Sequence, residues 1–157
     1  MFVDIDRVIY KIGMTKEGSD ISTLTGRSTV WLVALQVFGD SPIFGYGLQA
    51  WGPEHRAAIG LPFAFHAHNQ LLQSLSVAGA VGGLSLLVYF AALIKAAWRA
   101  APRTGGVSLG LLLFVAIRCV GEAPLELTGL FIGEFVTHFL LFVLLVHEPA
   151  DKGEGSK

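Results

Sequence analysis

Leu71–Ile94 reads LLQSLSVAGAVGGLSLLVYFAALI, 24 residues without a formal charge. A helix of that length, rising 1.5 Å per residue, crosses a hydrocarbon core of about 30 Å with room for tilt. Two further apolar runs follow. Val107–Gly121 is interrupted only by Arg118, and Leu127–Val146 carries Glu134 and His138. All three read as transmembrane helices, which predicts an all-α, polytopic membrane protein fragment. Composition supports this over the buried helical core of a soluble domain. Of 157 residues, 53% are hydrophobic and 15% charged, where soluble domains carry about 25% charged residues. A formal charge of −1 offers no basic surface for nucleic acid. The single cysteine, Cys119, excludes an internal disulfide framework and a multi-cysteine metal site.

Topology follows from the connections. Lys95–Gly106 contains Lys95, Arg99 and Arg103 and no acid, which assigns it to the cytoplasm. Glu122–Glu126 then lies outside and the tail inside. The expected organisation is an outer segment over residues 1–70, three spans over 71–147, and a disordered cytoplasmic tail over 148–157. Residues 1–20 hold no apolar core of a secretory signal. An outer segment of this size therefore implies upstream spans. The chain reads as the C-terminal part of a larger polytopic protein whose upstream membrane half is missing, with a short independent protein as the alternative.

Within the outer segment, Thr29–Phe38 reads TVWLVALQVF. Trp31, Ala34, Leu35 and Phe38 recur at helical spacing, which predicts a helix too short to span and lying on the membrane or on the spans. Thr25 is its expected N-cap, Asp40-Ser41-Pro42 its stop, and Gly45-Tyr46-Gly47 a tight turn. Residues 52–67 read as loop or short helix. Asn69 is placed to cap the first span. Along that span Asn69, Gln73, Ser76, Ala80 and Gly83 form a stripe expected to face other helices, since lipid cannot satisfy amides.

Several residues are able to carry chemistry. Arg27, near the start of the surface helix, suits a phosphate or snorkels toward lipid headgroups. His66 and His68 flank Ala67; each suits a general base or a polar membrane interface. A metal site lacks a third ligand at convincing spacing. Arg118 and Glu122, and Glu134 and His138, are i, i+4 pairs that either hold helices together or line a cavity; Arg118 is the first of these to consider as a second phosphate contact. There is no Walker loop, Rossmann fingerprint or nucleophile elbow, so the energy for any transfer must come from an activated substrate.

Thr23-Leu24-Thr25-Gly26-Arg27, then Trp31, Pro42, Gly45-Tyr46-Gly47, His68-Asn69, and Gly79 with Gly82 together resemble the O-antigen ligase and polymerase superfamily, closest to bacterial exopolysaccharide production proteins. The resemblance covers residues 20–95 and continues more loosely through Glu122-Ala123-Pro124-Leu125. It implies a multi-pass protein of the bacterial inner (plasma) membrane acting in surface polysaccharide biosynthesis. Such a glycosyltransferase takes a glycan from a polyprenyl (undecaprenyl) pyrophosphate carrier on the outer face and joins it to a lipid- or glycan-hydroxyl acceptor. It needs no metal or nucleotide cofactor. By motif, Arg27 would bind the pyrophosphate and His68 act on the acceptor hydroxyl. The family's second arginine lies in its outer loop; Arg56 occupies that region here without a matching motif and is carried as a candidate beside Arg118, Asn69 and Glu122. His66 departs from the family's single histidine. Family members have more spans than this chain, so it would be inactive if the upstream half contributes to the site. The alternative is a non-enzymatic membrane protein, a transporter subunit or an inactive remnant of the family.

Overall fold

The computed structural model describes residues 24–126 and 133–146, with side chains described for 27–126 and 135–146. The expectations for Glu134, for the start of the third apolar run and for the tail lie outside the described residues. Among the described residues the chain is all-helical. It comprises α1 (Leu24–Asp40), a 3-10 turn (Leu48–Trp51), α2 (Pro53–Ala58), α3 (Gln70–Ala100), α4 (Val107–Gly121) and α5 (Gly133–Val146). The chain divides into two compact units. The first runs to Leu86 and takes in Cys119–Ala123; the second comprises Leu87–Arg118 and the chain from Pro124.

In the first unit, α1 begins by Leu24, so Thr25 lies inside the helix and not at its cap. The buried face of α1 is Val30, Val33, Ala34 and Val37, while Leu35 is 47% exposed. This is the expected i, i+3, i+4, i+7 spacing, one residue out of phase with the expected face. The segment is apolar nearly all round, so periodicity gives the helix but not its rotation. Small and β-branched side chains face inward and pack with Ala50, Trp51, Leu61, Ala64 and Ala67.

The first half of α3 also belongs to this unit. Asn69 caps it as expected, its Oδ1 accepting the Leu72 amide at 3.1 Å. The helix is then interrupted at Gly79 (φ 63°, ψ −153°). In an unbroken helix the Ala80 and Val81 amides would bond the Ser76 and Val77 carbonyls. All four groups instead find partners in the Pro42–Gly47 loop. Tyr46 N–H donates to Ser76 O (2.9 Å), Gly47 N–H to Val77 O (2.8 Å), Ala80 N–H to Pro42 O (2.8 Å) and Val81 N–H to Ile43 O (3.2 Å). The loop therefore splices into the helix without leaving backbone groups unsatisfied. Of the expected stripe, Gln73, Ser76 and Gly83 are buried and Asn69 is half-buried, while Ala80, just after the break, is exposed.

In the second unit, Leu93, Ala97, Leu112 and Leu141 form a core. Ser108 Oγ donates to the Ala97 carbonyl at 2.9 Å, and Arg103 donates to the Leu144 and Leu145 carbonyls at the end of α5. Lys95 and Arg99 lie on the last turns of α3, which extends beyond the expected Ile94; cations there complement the helix dipole. Gln70–Ala100 is long and apolar enough to cross a membrane, whereas Val107–Gly121 and Phe135–Val146 are shorter apolar helices. Leu84, Leu87, Val88 and Ile94 on α3 are more than half exposed, which suits a lipid-facing surface and no aqueous one.

Candidate functional site

The polar cluster of the first unit forms where three segments meet: α1 with Arg27, the turn before α3 with His66 and His68, and the residue after α4, Glu122. Asn69 ties two of them together. While its Oδ1 caps α3, its Nδ2 donates to the Val120 carbonyl at 3.1 Å. This brings Glu122 beside a histidine 54 positions earlier in the chain.

Glu122 is the hub. Arg27 Nη2 donates to its Oε1 at 3.3 Å, and His68 Nδ1 lies 3.0 Å from its Oε2. His66 Nε2 is 4.0 Å from the same oxygen. A carboxylate only accepts, so the Nδ1 of His68 carries the proton and its Nε2 presents a lone pair. That is the tautomer a general base requires. The cluster is half-buried, with side-chain exposures of 28% for Arg27, 20% for His68 and 27% for Glu122. Partial burial strengthens the charge interactions within it. Arg27 has a hydrogen-bonding reserve, because its Nε is buried without an acceptor among the described residues.

His66, His68 and Glu122 are also residue types that ligate metals, their donor atoms lying within 4.8 Å of one another. Hydrogen bonds engage the Glu122 oxygens and the Nδ1 of each histidine. Arg27 and His68 hold the Glu122 oxygens, and His66 Nδ1 accepts the His68 amide at 3.1 Å. Glu122 is thus the third donor that spacing along the sequence did not show.

Of the residues singled out by sequence, the structure thus brings Arg27, His66, His68, Asn69 and Glu122 together. Arg56 is built into its own loop. It is 8% exposed, donates to the Pro62 carbonyl at 2.8 Å, and lies over the Phe65 ring at 4.1 Å, a cation–π contact. Arg118 sits half-buried on α4 in the second unit. The partnership of Glu122 with His68 was missed by i, i+4 spacing, which pairs Glu122 with Arg118. The signal for it was topological, since both residues fall on the same side of the expected membrane.

An apolar helix long enough to cross a membrane thus begins beside a histidine–carboxylate–arginine cluster. The O-antigen ligase family model matches residues 1–87, more than half the chain, and the protein belongs to that family. The match contains Arg27, Arg56, His66 and His68; Glu122 lies beyond it. No match is found among curated proteins.

Proposed function

We propose that the protein transfers a glycan from a polyprenyl pyrophosphate carrier to an acceptor hydroxyl on the outer face of a bacterial plasma membrane. The observation that carries this reading is the hydrogen bond between His68 Nδ1 and Glu122, which leaves Nε2 as an acceptor. The acceptor hydroxyl gives its proton to that nitrogen as its oxygen attacks the anomeric carbon. The bond from that carbon to the carrier's phosphate breaks, and its electron pair leaves with the pyrophosphate. Direct displacement inverts the anomeric configuration. Arg27 neutralises the departing charge, which counts most where water is scarce; its buried Nε is a spare donor for a phosphate oxygen. Asn69 fixes the turn that carries His68. In this reading residues 1–70 lie outside and the C-terminus in the cytoplasm.

The test is His68→Ala and Arg27→Ala in the intact protein at its native locus, with carrier-linked and surface glycans separated by size. Complete long chains stranded on the carrier identify a ligase; single repeat units in place of long chains identify a polymerase. An unchanged glycan profile for both variants, with the proteins present at normal levels, rejects the assignment.

A further inference from the structure

His68 carries a positive φ, 48°, the only such value at a non-glycine position among the described residues. A left-handed backbone at a residue with a side chain is strained and persists only where its surroundings enforce it. Two side chains grip this peptide. The amide of His68 donates to Nδ1 of His66 at 3.1 Å, and its carbonyl accepts Trp31 Nε1 at 3.4 Å. The next residue, Asn69, starts α3, so the turn cannot relax forward without uncapping the helix.

We propose that His66 is a positioning residue, a latch whose Nδ1 lone pair holds the His68 backbone in the left-handed conformation that points its ring at Glu122. This rests on the reading of His68 as the general base. The bond from a side-chain acceptor at residue i to the amide of i+2 has the pattern of an Asx turn, here closed by an imidazole. It constrains the protonation of His66. With Nδ1 as acceptor, the ring's one proton sits on Nε2, which faces Oε2 of Glu122 at 4.0 Å. Protonating Nδ1 turns the acceptor into a donor and opens the latch. The groups facing His66 are His68 on the same turn, Arg27 from α1 and Glu122 after α4. Burial, His68 and Arg27 hold its pKa below the usual histidine value, against the opposing pull of Glu122. The latch is therefore closed at neutral pH and opens as the pH falls.

The experiment uses the intact protein in its native membrane, with glycan transfer measured against pH and protein abundance measured in parallel. His66→Ala lowers transfer roughly 5- to 10-fold, the worth of one hydrogen bond. His66→Asn, whose Oδ1 accepts the same i+2 amide, keeps the rate within about 3-fold of the parent. It also makes the acid limb, the fall in transfer at low pH, shallower, because an amide oxygen in place of the His66 ring is not lost as an acceptor by protonation. Transfer by His66→Ala at the parental rate, with His68→Ala inactive, overturns the latch and leaves the reading of His68 intact. Equal losses in the alanine and asparagine variants, or an acid limb unchanged in His66→Asn, also overturn it. Full transfer by His68→Ala overturns the reading of the site and the latch with it.

Discussion

At the scale of single residues, the proposed reaction depends on fixing where one proton resides. Glu122 has no need to touch substrate to matter, because it decides which nitrogen of His68 is basic. Glu122→Gln tests this with little change of shape. An amide offers both a donor and an acceptor, so His68 is free to adopt the other tautomer and present Nε2–H to the acceptor hydroxyl. A loss of about 100-fold or more in transfer is expected, by analogy with the effect of a wrong tautomer in hydrolytic triads. Glu122→Asp, shorter but still an acceptor alone, retains more activity than the glutamine variant. Equal rates for Glu122→Gln and the parent would show that the carboxylate does not set the tautomer. The residues of this site were legible in the sequence, but their pairing was legible only in part. Arg27 and His68 stand out by motif. Glu122 belongs with them through a contact between distant segments, which no local spacing encodes, and the role of His66 depends on a backbone torsion that its identity does not reveal.

At the scale of elements, the motif glycines are explained by a splice. Gly79 adopts φ 63°, ψ −153°, a region essentially confined to glycine, and a Cβ there would collide with the backbone of Ile43 and Gly45. Gly45 is the reciprocal case, its missing Cβ making room for the Val77–Ala78 backbone. Neither neighbour is able to rotate away, as a side chain would. Gly79→Ala should therefore lower stability by about 3 kcal/mol, combining torsional strain with overpacking. Thermal unfolding in detergent measures it. Gly110→Ala is the control, since nothing lies within 4 Å of its added Cβ, and it should be neutral or slightly stabilising. Equal melting temperatures for the two variants would remove the splice as the reason for these glycines. The run Leu71–Ile94 was legible as a helix because its hydropathy is continuous. The break was not, because a Gly-rich apolar run equally suits close helix packing. Only the partnering carbonyls of Pro42 and Ile43 distinguish the two.

At the scale of the whole molecule, the question is which side of the membrane holds the site. All the site residues on the turn before α3 precede the membrane-capable helix, and Lys95, Arg99 and Arg103 cluster at and beyond its end. Basic residues resist translocation, so that end is expected in the cytoplasm and the His68 turn outside, the side on which the proposed donor would be met. The break at Gly79 fits this assignment. Ala80–Ala100 alone spans about 30 Å at 1.5 Å per residue, the thickness of a hydrocarbon core, leaving Gln70–Ala78 to build the site at the membrane surface. In the second unit, the bonds from Arg103 to the Leu144 and Leu145 carbonyls place the end of α5 at the same face as the basic turn, so the C-terminus should share its side. Replacing Cys119 with serine removes the only thiol and allows single cysteines to report sidedness. In intact cells a membrane-impermeant maleimide should label Glu54→Cys on α2, whereas Thr104→Cys should react only after permeabilisation. Labelling of Thr104→Cys from outside would invert the topology, and would put His68 on the side where no outer-face transfer is possible.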